Sequence, residues 1–222
     1  MLGELPRPTG DDALLVCNPD NPTGRVLDLA LLEQAARDHL VVVDEAYGEF
    51  ATEHSGIHPV RRGTGNMLVV RTFSKAFGAA GLRLGYAVGH PDLLRELQHH
   101  QLAFPLSSYA LVVGSALWRR RAQMTENVRR LQAERAQIGA AFAAMGFQVL
   151  PGCANFFSCF PPEGTDPVAL GRLMMERGVL VRWFGPGQRH PGFLRVTVGT
   201  PGENRLLLQV VRDALFPGAT HA

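Results

Sequence analysis

The chain has 222 residues, 46% hydrophobic and 19% charged, a composition that excludes fibrous and disordered classes and is long enough to bury a sizeable core. Lys and Arg total 22 against 20 Asp and Glu, a net charge of +2, which is too balanced for an electrostatic footprint on nucleic acid or an acidic membrane, so small-molecule partners are expected. No apolar run approaches the roughly 18 residues of a membrane span, and the polar start Met1 to Asp12 has no apolar leader, so the sequence reads as cytoplasmic.

Short apolar runs alternate with stretches of helical period, the pattern of an α/β protein. Leu14 to Cys17 reads as a strand, Asp28 to Asp38 as a helix, and Leu40 to Val43 as a strand buried on both faces, hence paired in parallel. A loop rich in Gly, His and Pro (48–65) follows, then a strand at Met67 to Thr72, a turn at Ser74 to Gly81, a strand at Leu82 to Val88, and a helix after Pro91. From Ser107 to Met145 the chain lacks Pro and carries clustered charges such as Arg119-Arg120-Arg121, as long exposed helices do. The remainder reads as strands at Phe147 to Leu150 and Asn155 to Phe160, a helix at Asp166 to Arg177, strands at Val179 to Trp183 and Phe193 to Val198, and a helix at Pro201 to Phe216. Thr200, Pro201 and Glu203 form a capping-box start for that last helix.

Four segments that follow predicted strands could carry chemistry: Asn18-Pro19-Asp20-Asn21-Pro22-Thr23-Gly24, Asp44-Glu45-Ala46-Tyr47, Thr72-Phe73-Ser74-Lys75 and Gly81-Leu82-Arg83-Leu84-Gly85. Ligands of open parallel sheets lie beyond the carboxyl ends of the strands, which is where these segments fall. Each alone has an ordinary reading: a turn, a helix cap, a solvated lysine, an ion-paired arginine.

In combination and order they resemble the pyridoxal-phosphate-dependent aminotransferases of fold type I, class I/II, and most closely the histidinol-phosphate aminotransferases. The resemblance runs from about Leu14 to Phe216 and takes in the Leu194-Arg195-Val196-Thr197-Val198-Gly199-Thr200 segment. It implies an α/β fold with part of a large cofactor domain, a mostly parallel sheet with helices, over residues 1–104, and connecting helices plus a small α+β domain over 105–222. It also implies a homodimer that uses pyridoxal 5'-phosphate on amino acid and keto acid substrates. Lys75 matches the amine that holds the cofactor as a Schiff base, which requires a positive field or desolvation to lower its pKa. Asp44 matches the carboxylate that keeps the pyridine nitrogen protonated, and Asn21 and Tyr47 match the hydrogen-bond donors to the ring oxygen. Ser74 and Arg83 match part of the phosphate cup. Arg195, with Asn155 as helper, matches the clamp on the substrate carboxylate, its alternative being a surface arginine on an edge strand; Arg182 matches a contact to a substrate phosphate.

Other signals are weak. Gly56 and Pro59 argue against a helix presenting His54 and His58 together, so no metal site is expected. Cys17, Cys153 and Cys159 are odd in number, lack a C-x-x-C spacing, and read as small buried hydrophobes. Gly185 and Gly187 do not extend to a nucleotide-binding glycine motif. The sequence departs from the family in one respect: only about a dozen polar residues precede the Asn-Pro motif, where the family has a long segment. The resemblance places the first strands of the sheet, a phosphate loop, the ring-stacking aromatic and a tyrosine lent across the dimer in that segment. A sheet cut this way exposes apolar edges and faces, which predicts poor stability, aggregation or a compensating partner. Alternative readings are a phosphothreonine decarboxylase-like enzyme of the same superfamily and a catalytically silent fragment that acts by binding a partner.

Overall fold

The computed structural model describes Leu5, Thr9 and residues 12–185, 187, 188 and 191–216. The chain divides into two compact units, Met1–Asn21 with Arg25–Arg129, and Pro22–Gly24 with Arg130–Ala222.

The first unit holds β1 (Leu14–Cys17), α1 (Leu29–Ala35), β2 (Val41–Asp44), α2 (Ile57–Arg61), β3 (Met67–Thr72), β4 (Gly85–Gly89), α3 (Pro91–His99) and α4 (Ser108–Arg119). Its sheet runs β1-β2-β3-β4. The pairs β1–β2 and β2–β3 are parallel because α1 and α2 carry the chain back between them. β4 returns through residues 73–84 without a crossover and pairs antiparallel to β3. It also starts later than its apolar residues suggest, since Ala80–Leu82 form a 3-10 turn and Arg83 takes a left-handed φ of 51°. Gly85 then enters the strand where a Cβ would stand 2.6 Å from the Arg71 carbonyl oxygen, so only glycine permits this approach.

Val41, Val43, Met67 and Val69 are fully buried with Leu32 of α1 in one core, whereas Val42 on the opposite face is half-buried. The β2 run is therefore buried mainly on one face. α1 begins at Asp28, whose Oδ1 accepts from the Ala30 N–H at 2.9 Å. α2 contains Pro59, contrary to the expected loop, because Pro59 lies in the first turn, where a backbone N–H has no intrahelical acceptor. Among the described residues β1 and β4 are the sheet's edges, and large apolar side chains stand in solvent, with Leu15 at 74% and Phe104 at 97% exposure.

α5 (Arg121–Ala144) begins in the first unit and ends in the second, and Arg119–Arg121 are exposed at the α4–α5 junction rather than along one helix face. The second unit then contains β5 (Gln148–Val149), β6 (Phe156–Phe160), α6 (Pro167–Glu176), β7 (Arg182–Trp183), β8 (Leu194–Thr197) and α7 (Pro201–Leu215). Its sheet is antiparallel in the order β5-β6-β8-β7. Phe142, Phe147, Phe157, Met174, Leu194, Val196 and Val211 form its core. The capping box at α7 is present: Thr200 Oγ1 accepts from the Glu203 N–H and Glu203 Oε2 accepts from the Thr200 N–H. Hydrogen bonds from Thr200, its backbone N–H first and its side chain second, hold the Glu203 carboxyl below its ordinary value. Of the cysteines only Cys159 is buried, its thiol pushed up to about 12 by burial; Cys17 and Cys153 are half-buried, which corrects the reading of all three as core residues.

Candidate functional site

Because β1, β2 and β3 run in parallel, their carboxyl ends share one rim, with Cys17 paired to Asp44 and Asp44 to Val70. Asn18 anchors that rim. Its buried side chain donates to the His54 carbonyl at 2.8 Å and accepts from the Leu27 N–H at 2.9 Å. Asp44 ends β2, half-buried, with Oδ1 accepting from the Ala46 N–H at 2.9 Å. Beside it the Cys17 thiol is pushed up to about 11, by burial first and then by the charges of Asp44 and Asp20.

Tyr47 is buried and Lys75 Nζ lies 5.4 Å from the centroid of its ring. Lys75 itself is exposed, so burial does not supply the desolvation expected of the amine. Ser74 is half-buried in a turn closed by Thr72, whose Oγ1 donates to Ser74 Oγ at 2.9 Å and accepts from the Ser74 N–H at 3.1 Å. Arg83 is exposed, with Nη1 donating to the Ala80 carbonyl at 3.2 Å, and Asn21 is exposed beyond β1. The structure thus brings Lys75 to Tyr47; Asn21 and Arg83 are on the surface of the same unit. His54 ends a 3-10 turn and His58 lies in α2, separated by the extended Ser55, and His58 Nε2 bonds with the Thr52 carbonyl at 2.8 Å.

In the second unit Arg195 lies on β8, an interior strand, half-buried, with its guanidinium carbon 5.1 Å from the centroid of the Phe156 ring. That position corrects the edge-strand alternative. Arg182 on the true edge strand, β7, stands directly opposite Arg195 and is exposed, 5.4 Å over Phe184. Both arginines line a depression of about 510 Å3 with Trp183, Gln188 and Thr197. Asn155, just before β6, is half-buried and its carbonyl accepts from the Val198 N–H at 2.9 Å.

A buried ionic group beside Asp44 went unforeseen. Glu45 is completely buried and accepts from Ser55 Oγ (2.8 Å), the Gly56 N–H (2.6 Å) and Arg71 Nε and Nη2 (3.0 and 2.8 Å). Burial pulls the Arg71 guanidinium down, but Glu45 first and then Glu49 and Tyr86 raise it above its ordinary value. Gly48 is required here, since a Cβ would fall 2.7 Å from Glu45 Oε2. The one sequence signal was the position of Glu45 itself, next in line after a strand residue and so turned to the other side; its partner is 26 residues away.

A profile described as aminotransferase class I and II matches residues 4–211. The chain belongs to the class I and II aminotransferase family. Among its curated relatives, a histidinol-phosphate aminotransferase of Pseudomonas entomophila is 41% identical over 200 residues, which cover 87% of this chain and 56% of the relative. One from Streptomyces avermitilis is 39% identical over 210 residues, 91% of this chain and 54% of the relative. The chain therefore spans about half the length of these aminotransferases. The crystal structure of histidinol-phosphate aminotransferase from Sinorhizobium meliloti in complex with pyridoxal-5'-phosphate superposes with TM-score 0.80 at 26% identity, covering 91% of this chain and 57% of that one. L-threonine-O-3-phosphate decarboxylase from Porphyromonas gingivalis superposes with TM-score 0.79 at 26% identity, covering 92% and 64%. The donor set on the rim fits a phosphorylated pyridine aldehyde: a carboxylate at a strand end, an amine over a phenol, a serine in a tight turn and an arginine. Among the described residues, no helix is long and apolar enough to cross a membrane.

Proposed function

We propose that this chain carries the catalytic lysine and most of the ring contacts of a pyridoxal-phosphate-dependent aminotransferase of the histidinol phosphate/2-oxoglutarate type, working in histidine biosynthesis. The observation that carries the reading is the Lys75 amine 5.4 Å from the Tyr47 ring in the unit whose strand β2 ends at Asp44. Residues 1–104 are assigned to the cofactor domain and 105–222 to connecting helices and the small domain, in a cytoplasmic homodimer. Pyridoxal phosphate, when bound, supplies an electron sink for the bonds at the substrate Cα.

In that role Asp44 holds a proton on the ring nitrogen, and Asn21 and Tyr47 donate to the ring oxygen. Ser74 and Arg83 bind phosphate oxygens. Lys75 would hold the cofactor through Nζ and would serve as the base that takes and returns the proton at the substrate Cα. Arg195, supported by Asn155, fixes the substrate carboxylate, and Arg182 faces a substrate phosphate across the same strand pair. The structural likeness to the Porphyromonas gingivalis decarboxylase supports a second reading, decarboxylation of a phosphorylated amino acid, in which the same residues hold the substrate in a different orientation.

The test is to add pyridoxal phosphate, record the visible absorbance of the bound cofactor, reduce with borohydride and locate the labelled peptide. Labelling at Lys75, lost in Lys75→Ala, is expected, while Arg195→Ala keeps the absorbance and weakens only substrate binding. Folded protein that takes up no cofactor favours a catalytically silent fragment; loss of absorbance in Arg195→Ala overturns the division between cofactor and substrate residues.

A further inference from the structure

We propose that the recess walled by Phe77, Tyr86 and Trp118 beside Glu49 binds an organic cation, an alkyl guanidinium or alkyl ammonium group, with Glu49 as its counter-ion. Two buried carboxylates, Glu45 and Glu49, share one buried guanidinium, Arg71. Arg71 commits Nε and Nη2 to Glu45, and Nη2 also donates to Ser55 Oγ at 3.0 Å. Its Nη1 stands 3.6 Å from Glu49 Oε1, beyond hydrogen-bond distance. The Glu49 side chain is only 5% exposed, and neither of its oxygens accepts a hydrogen bond from another described residue. A buried acid in this condition lacks a donor that a ligand can bring. Burial pushes the Glu49 carboxyl above its ordinary value, against the pull of Arg71 and of its own backbone N–H, and Glu45 pushes the same way.

The recess has a volume of about 480 Å3, room for a small organic group. Its aromatic rings form one packed set: Tyr86 meets Trp118 at 5.7 Å and Phe77 meets Trp118 at 6.3 Å between centroids. Aromatic faces attract cations, and the Trp118 face already carries one, the Arg121 guanidinium at 5.6 Å. A planar, weakly hydrated guanidinium suits both the faces and a buried carboxylate whose two oxygens accept no hydrogen bond from another described residue. The charged and titratable groups around Glu49 are Arg71 from β3, Glu45 after β2, Tyr86 from β4, and Arg119 and Arg121 from the α4–α5 junction. Arg119 and Arg121 are exposed, and their charge opposes a further cation.

The experiment is a calorimetric titration of the full chain with ethylguanidinium chloride and n-butylammonium chloride, against sodium chloride at equal ionic strength. Saturable binding is expected at pH 8, weakened about tenfold in Glu49→Gln. Binding to the unaltered chain should also fade as pH drops and the acid takes its proton, while Glu49→Gln shows no such pH dependence. Circular dichroism checks that Glu49→Gln is folded; should it not be, Trp118→Leu, at an exposed position, is expected to lose several-fold in affinity. Acetyl-Gly-Arg-Gly-amide binding more tightly than ethylguanidinium identifies a polypeptide side chain as the source of the cation, and the reverse order identifies a free small molecule. Equal affinity in folded Glu49→Gln, full affinity in Trp118→Leu, or saturable uptake of inorganic phosphate in place of the cations overturns the proposal.

Discussion

The two sheets solve the same problem with unequal success. The antiparallel sheet of the second unit closes over a core in which Phe142, Phe157, Leu194 and Val196 are each under 2% exposed. The mixed sheet of the first unit buries Val41, Val43, Met67 and Val69 on one face and leaves Leu15 in solvent, where Leu102, Phe104 and Val112 also stand elsewhere in the unit, and beside the sheet lies a buried ionic group. The sheet with the weaker apolar core is thus the one that carries Lys75, Tyr47 and Asp44.

The contrast can be broken most forcefully in the second unit. Phe142 packs against Phe147 at 4.8 Å and Phe157 at 5.1 Å between ring centroids, so Phe142→Ala is expected to lower the unfolding free energy by about 4 kcal/mol in urea titrations. A loss below about 1 kcal/mol would mean that this core is no tighter than the other. In the first unit Arg71→Met strands the Glu45 charge, and a loss of about 3 kcal/mol is expected, most of it recovered when Glu45→Gln is added. Failure of the double variant to recover would show that Arg71 serves as packing rather than as a counter-ion.

The smallest effect has the opposite sign. The folded-state carboxyl of Glu49 is raised above its ordinary 4.5, so the native chain holds that proton more tightly than the unfolded chain and loses stability as pH rises through the folded value. Glu49→Gln removes this loss and should stabilise the chain by about 1 kcal/mol at pH 8, with the gain vanishing below pH 4.5. A gain that persists unchanged at pH 4 would place its origin outside that ionisation.

Much of this was legible in the sequence. Val runs ending in polar residues marked the parallel strands, Asp28, Asp166 and Thr200 marked helix starts, and the order of the motifs marked the rim with Asp44, Tyr47 and Lys75. The illegible parts are those decided by distant or left-handed backbone. Nothing local in Glu45 announces Arg71, 26 residues on. The antiparallel entry of β4 depends on the left-handed Arg83 and on Gly85 lying against a carbonyl, neither of which periodicity encodes. Pro59 misled because a proline excludes a helix interior and not its first turn.

The Asn18 side chain joins the end of β1 to the His54 turn and to the chain entering α1. Three connections that look separate are therefore tied at a single amide, and a disturbance of any one is shared by the others. Tolerance to insertion should accordingly be low in the stretches flanking His54 and Leu27, because lengthening either would pull on the mooring of the strand itself.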